Sequence, residues 1–364
     1  MKILIAGLGG IGQRHLRNLR TLMGVEAEIS AVDLRRNIPV LTDQLLVEAG
    51  TTLEEKYDLR IYPALEPALA WNPEVVFVCT PTSQHIPTAL RAAQAGCHLF
   101  IEKPLSHNLE QVEELISLVE SRGLTAVVGY QMRFHPCLQS LHAFMREKKV
   151  GRILSVRAEV GEYLPGWHTY EDYRKMYASR QDLGGGVILS QIHELDYLYW
   201  LFGLPRSVYA LGGHLSSLEL DVEDTAEILM DYEMDGRSVP VSLHQDFLQR
   251  PPRRTCDIIG DHGKILVNLV ALSVDVFDGE GKQVEANSYA GFQRNQMFMD
   301  ELKYFFAVLR ESPGSSVVVP VPGRGTGQRT PGPLVSVREA AYSLRMALAA
   351  KESLATGKVI ELMR

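Results

Sequence analysis

Short apolar runs alternate with amphipathic stretches over the first 125 or so residues, the pattern of a parallel sheet wrapped by helices. Strands are expected at 2–6, 27–33, 59–62, 74–79, 98–101 and 125–129, and helices at 11–23, 39–50, 84–95 and 108–121. Val75-Val76-Phe77-Val78-Cys79 is apolar throughout, as a strand buried on both faces should be. After residue 130 the texture changes. A helix fits 135–147 and a strand 152–160, followed by a polar, aromatic loop over 162–181 and a helix over 190–202. Strand-like segments recur at 207–213, 224–232, 239–247, 254–259, 264–269 and 273–277, with turn signals such as Asp235-Gly236 between them. Two amphipathic helices, 294–310 and 336–356, close the chain, and the Gly-, Pro- and Ser-rich stretch 313–334 between them reads as a loop. These patterns predict an α/β domain with a doubly wound parallel sheet over 1–130. An α+β domain with a large, mainly antiparallel sheet follows over 131–364.

At 364 residues, two domains are the default. A hydrophobic share of 46% with 22% charged residues is ordinary for a soluble globular protein. The net charge of −7 and the lack of any basic stripe beyond pairs such as Arg253-Arg254 argue against nucleic acid as a partner. No run approaches the 18 or so apolar residues of a membrane span, and the N-terminus reads as a core strand, not a signal peptide. Cys79, Cys97, Cys137 and Cys256 form no CxxC pair, and the histidines show no HxxxH or HExxH spacing. Reduced thiols, no metal and a cytoplasmic location are the expectations.

The first strand leads into Gly7-Leu8-Gly9-Gly10-Ile11-Gly12 and then into a helical pattern with Leu16, Leu19 and Leu22 on one face. Strand, glycine turn and helix in that order suit a dinucleotide. Gly7 allows the tight turn, Gly9 lets the backbone approach a pyrophosphate, and Gly12 lets the helix pack closely on the strand. The pyrophosphate would then sit on N–H groups at the helix start, Gly10 and Ile11, at the positive end of the dipole. About 20 residues further on, Asp33 ends the second strand, where an acid can accept hydrogen bonds from the ribose hydroxyls. A solvated acid at a strand end fits the same position. Asp33 favours NAD by repelling a 2′-phosphate, yet Arg35 and Arg36 could hold one, so NADP stays open; Leu34 and Arg35 border the same site. Ligands in such sheets bind beyond the carboxyl ends of the strands, an edge that carries Thr80, Pro81, His85, Glu102, Lys103 and Pro104.

Lys103, in Glu102-Lys103-Pro104, stands where an ammonium could stabilise a developing oxyanion; a surface lysine in a turn reads equally well. Gly184-Gly185-Gly186 precedes a helical stretch carrying Ser190 and His193. Imidazole is the natural proton acceptor near neutral pH, although a lone helical histidine is more often structural. His193 and Asp196 are one turn apart and could interact.

GLGGIG, Cys79-Thr80-Pro81, EKP at 102–104 and GGG followed by His193 together resemble the Gfo/Idh/MocA family of NAD(P)-dependent oxidoreductases. The family takes its name from glucose-fructose oxidoreductase and inositol dehydrogenase. The resemblance extends over essentially the whole chain and is most specific at EKP. It implies that Lys103 is the catalytic lysine and His193 the proton-transferring histidine. It also implies an open-faced sheet through which dimers or tetramers form. One departure matters. The family usually carries an aspartate one turn before the histidine, and here Leu189 and Ser190 stand there. Ser190 can hydrogen-bond a substrate but supplies no charge, so either Lys103 and His193 suffice, or Asp182, Glu194 or Asp196 compensates, or the activity is altered. Gly129-Tyr130-Gln131-Met132-Arg133-Phe134 resembles a further family segment, in which Arg133 would face substrate or ribose; a structural arginine fits as well.

The loop 163–180 holds Trp167, Tyr170 and Arg174, residues that suit an acidic or nucleotide-linked sugar, or equally a loop packing on its own aromatics. The expected activity is hydride transfer between NAD, or NADP, and a secondary hydroxyl of a sugar, polyol or nucleotide sugar. A redox-neutral lyase, hydrolase or epimerase with tightly held NAD, and a non-catalytic nucleotide sensor, are the alternatives.

Overall fold

In the computed structural model, residues 1–35, 37–311 and 333–362 are described. The chain divides into two compact units.

The first unit comprises Met1–Tyr130, His168–Asp172 and Phe298–Ala341, an interleaving that no change of composition announces. Its elements run β1 (Lys2–Ala6), α1 (Gly10–Met23), β2 (Glu28–Val32), β3 (Arg60–Tyr62), β4 (Val75–Val78), α2 (His85–Gln94), β5 (His98–Glu102), α3 (Val112–Ser121) and β6 (Ala126–Gly129). The strands form a sheet in the order β6-β5-β4-β1-β2-β3, parallel throughout, with the short strand Val335–Ser336 antiparallel on the β6 edge. Every residue of β4 is buried, as its unbroken apolar run requires of a central strand. Phe77 and Phe100 stack at 4.9 Å, and Phe305 meets both edge-on.

The stretch 39–50 is not the expected helix. It is a hairpin of two short strands, Val40–Leu41 and Val47–Glu48. Buried Gln13 on α1 claims its backbone: Nε2 donates to the Pro39 carbonyl at 2.8 Å, and the Leu41 N–H donates to Oε1 at 2.8 Å. Tertiary hydrogen bonds override a helical pattern here.

The second unit comprises Gln131–Trp167, Tyr173–Met297 and Tyr342–Arg364. After α4 (Pro136–Arg146) come β7 (Ile153–Gly161), α5 (His193–Phe202), β8 (Ser207–Gly213), β9 (Thr225–Met234), β10 (Arg237–Asp246), β11 (Arg253–Gly260), β12 (Gly263–Asn268), β13 (Ser273–Asp278) and β14 (Gln283–Ser288). Two longer helices, α6 (Asn295–Glu311) and α7 (Val337–Thr356), have residues in both units. The sheet order is β14-β13-β12-β11-β7-β10-β9-β8, followed by the short strand Ile360–Glu361, and only β7 and β10 pair in parallel. Burial alternates along β9, with Ala226, Ile228, Met230 and Tyr232 buried between exposed Glu227, Leu229 and Glu233. One face thus carries the core and the other is open. Strand β14, polar and at the sheet edge, was not expected.

The anticipated helix over 190–202 is broken. A short helix, Val187–Ser190, stops at Gln191, and α5 restarts at His193. The Gln245 amide donates to the Gln191 carbonyl at 2.8 Å, and the Gln191 amide donates to the Asp246 carbonyl at 2.9 Å, so β10 holds the break. Most of the loop 313–334, and Arg36, lie outside the described residues. No helix among the described residues is long and apolar enough to cross a membrane.

Candidate active site

The cofactor half is built at the end of β1. The chain turns at Gly7, with φ +97°, where a Cβ would stand 2.5 Å from the Cys79 carbonyl oxygen. A Cβ on Gly12 would collide with the Gly7 carbonyl, whereas one on Gly9 would meet nothing within 4 Å. The loop is packed beneath and open above, which fits a pyrophosphate laid against its backbone. α1 begins with no capping side chain and no acid in its first turn. Gly10 and Ile11 therefore carry the helix-start N–H groups that suit an anion, with the Tyr170 hydroxyl set against Gly10.

Asp33 closes this half. It accepts the Leu8 N–H at 2.8 Å, and Arg35 lies across both its oxygens, Nε at 3.0 Å and Nη2 at 2.8 Å. Burial opposes ionisation, but the hydrogen bonds from Arg35 and Leu8 outweigh it and hold the carboxyl below its ordinary range. Leu34 beside it is 83% exposed.

Thr80 and Pro81 follow β4, and Lys103, half-buried, follows β5, at the sheet's carboxyl edge. Two residues expected at the cofactor turn inward instead. His85 puts Nδ1 2.7 Å from the Pro104 carbonyl and Nε2 2.9 Å from the Thr80 carbonyl, joining two edge turns. Burial draws its pKa below the ordinary value against the pull of those carbonyls. Glu102 meets His15 on α1 at 2.6 Å, with the pair enclosed by Phe77, Phe100 and Phe298. His15 was not anticipated; only its place on the first helix could have flagged it.

The second unit holds the histidine. Gly184 and Gly186 have φ of +81° and +105°, and a Cβ on Gly185 would run into the Tyr177 carbonyl. Only glycines let this segment pass so close. Ser190 ends the short helix, buried, and His193 opens α5, buried, with its Nε2 3.2 Å from the Gln131 amide nitrogen. Gln131 was passed over in the sequence although its segment was noticed.

The carboxylates offered in place of the missing aspartate are all engaged. Asp196 takes Arg133 at 2.8 Å on each oxygen, and Ser343 also donates to it at 3.2 Å. Arg133 is thus fully buried in an ion pair, as the structural reading of that arginine has it. Arg254 grips Glu194 at 2.7 and 2.8 Å, and Arg180 pairs with exposed Asp182.

The aromatic loop reaches partners outside itself. Trp167 meets Phe247 edge-on at 5.3 Å, and Arg174, expected at the substrate, pairs with Glu219 on the surface. Tyr170 belongs to the first unit, its hydroxyl 3.1 Å from the point a Gly10 Cβ would occupy.

Residues 1–130 match the model of the oxidoreductase family with an NAD-binding Rossmann fold, and residues 138–266 match that of the GFO/IDH/MocA C-terminal domain. The chain belongs to the Gfo/Idh/MocA family. Its first unit is the family's NAD-binding Rossmann domain, and its second carries the mostly antiparallel sheet. The chain is similar to the uncharacterized oxidoreductase YrbE of Bacillus subtilis, 28% identical over 244 residues that cover 65% of this chain and 64% of that one. Myo-inositol 2-dehydrogenase of Thermotoga maritima is 25% identical over 315 residues, covering 84% and 87%. Across four of the curated relatives it matches, the chain spans 37% to 64% of their own length. The WlbA dehydrogenase from Bordetella pertussis, solved in complex with NADH and UDP-GlcNAcA, shares the fold with a TM-score of 0.75 at 21% identity, covering 100% of this chain and 99% of that one.

Proposed function

We propose that this Gfo/Idh/MocA protein is an NAD-dependent dehydrogenase acting on a secondary hydroxyl of a sugar, polyol or nucleotide sugar. The observation that carries the reading is Lys103 immediately after β5, at the carboxyl edge of a sheet whose glycine turn fits a dinucleotide. His193 removes the hydroxyl proton, and the Lys103 ammonium steadies the oxygen as its charge grows. NAD, when bound, supplies the hydride acceptor. Asp33 directs the choice toward NAD, because its carboxylate would repel a 2′-phosphate. The relatives named for inositol and for a UDP-sugar complex support the substrate class. With no acid at Leu189 or Ser190, His193 works without a carboxylate one turn before it.

Absorbance at 340 nm over a panel of polyols, sugars, uronic acids and nucleotide sugars, with NAD and NADP in parallel, tests this. A substrate-dependent rise should fall at least about a hundredfold in both Lys103→Met and His193→Ala, the scale of losing an acid–base or oxyanion group. Near-normal turnover in both variants would remove the mechanism. Product formed without net NADH would point to the redox-neutral alternative. We further infer that copies assemble into dimers or tetramers through the open sheet face, where Leu211, Leu229 and Ile259 are exposed; light scattering on the purified chain reads the mass directly.

A further inference from the structure

Residues His168–Asp172 belong to the first unit, whereas the chain through Trp167 and again from Tyr173 belongs to the second. The segment is a tight turn. The Glu171 N–H donates to the His168 carbonyl at 3.3 Å, His168 Nδ1 and Glu171 Oε1 are 2.8 Å apart, and the His168 ring stacks on Tyr170 at 5.3 Å. This turn sets the Tyr170 side chain on the first residue of α1. Its hydroxyl oxygen and Leu45 lie 3.1 and 3.3 Å from the point a Gly10 Cβ would take, so both pack against the first residue of the helix. Burial, then the neighbouring Glu171 carboxylate, raises the hydroxyl's pKa, against the opposing pull of the Gly10 N–H, and the phenol keeps its proton. Arg35, which also feels Glu171 and Tyr170, meanwhile occupies both oxygens of Asp33.

Two groups that a dinucleotide needs in this unit, the Gly10 N–H and the Asp33 carboxylate, are therefore already in use by side chains of the same unit. The start of α1 has no acid in its first turn, and the turn that puts a hydroxyl oxygen against Gly10 also carries the Glu171 carboxylate. A helix N-terminus attracts just such a group. The Tyr170 hydroxyl oxygen and a pyrophosphate cannot both take the Gly10 N–H, and the Glu171 carboxylate on the same turn adds repulsion. We propose that the Tyr170–Glu171 turn is an internal stand-in for the cofactor's pyrophosphate, which NAD must displace from the start of α1 in order to bind. The inference rests on the NAD-binding reading of the first unit. Apparent affinity is then reduced by the fraction of molecules in which the turn is open.

The test is NADH binding to the full chain, by fluorescence titration and stopped-flow association, for wild type, Tyr170→Phe, Glu171→Gln and His168→Ala. Tyr170→Phe and Glu171→Gln should bind NADH severalfold more tightly and faster. The wild-type rate should level off with rising NADH at the opening rate of the turn. His168→Ala loosens the turn without touching Gly10 and should shift both quantities the same way, which keeps the test decisive if another variant fails to fold. Unchanged or weaker binding in the folded variants would overturn the proposal, since Tyr170 would then be a bystander or a clamp on the cofactor. Absence of NADH binding in all four proteins would overturn the cofactor reading itself, and the stand-in with it.

Discussion

Arg133 and Asp196 meet where water is excluded, their side chains 0% and 1% exposed. Desolvating two charges is repaid only while both are present, so removing one partner costs more than the pair contributes. Asp196→Asn or Arg133→Met should each lower unfolding free energy by about 3–5 kcal/mol. Arg133→Met combined with Asp196→Asn should cost clearly less than the sum of the two losses; urea denaturation of the three variants checks this. An additive double variant would mean that the two side chains do not act as a pair. The same residue shows where sequence motifs stop being informative. The EKP and triple-glycine signatures fix where Lys103 and His193 stand along the chain, and the roles proposed for them await the variants above. Arg133, His85 and Glu102 sit in equally recognisable segments, yet each turns toward a partner distant in sequence: Asp196, the Pro104 carbonyl and His15. A motif places a Cα, and long-range packing decides where the side chain points.

Elements were legible wherever local pattern and tertiary environment agreed. β4 and its neighbours in the parallel sheet follow their apolar runs, and β9 follows its period of two. The departures have tertiary causes. Gln13 diverts 39–50 from helix to hairpin, Gln245 interrupts the helix before His193, and the polar strand β14 is recruited to the edge by pairing with β13. Gln13 can be tested directly. It is fully buried and serves Leu8, Pro39 and Leu41. Gln13→Leu leaves those backbone groups without a partner, at about 1–3 kcal/mol for each buried group. We expect a lower urea midpoint together with faster hydrogen exchange at the Leu41 amide. Unchanged exchange there would show that the hairpin holds itself.

For the molecule as a whole, pH dependence has one clear contributor on the open sheet face. His244 bridges Asp246 at 2.7 Å and Glu227 at 2.6 Å. The Asp246 hydrogen bond, with help from Glu227 and against burial, raises its pKa from 6.5 to about 9. The folded state thus binds this proton more tightly than the unfolded chain. The stability it lends is complete below pH 6.5 and disappears as pH rises through 9. Urea midpoints should fall more steeply across that window for wild type than for His244→Gln; parallel curves would show that the bridge contributes nothing. Chain order carries a different consequence. The Rossmann sheet is completed by Val335–Ser336, and Phe305 closes over Phe77 and Phe100, so the unit that begins synthesis is finished by residues near its end. At the usual pace of translation, 5–20 residues per second, the early strands wait roughly 10–40 s for these partners. During that interval an aromatic surface stands uncovered on the ribosome, a natural point of contact for a chaperone.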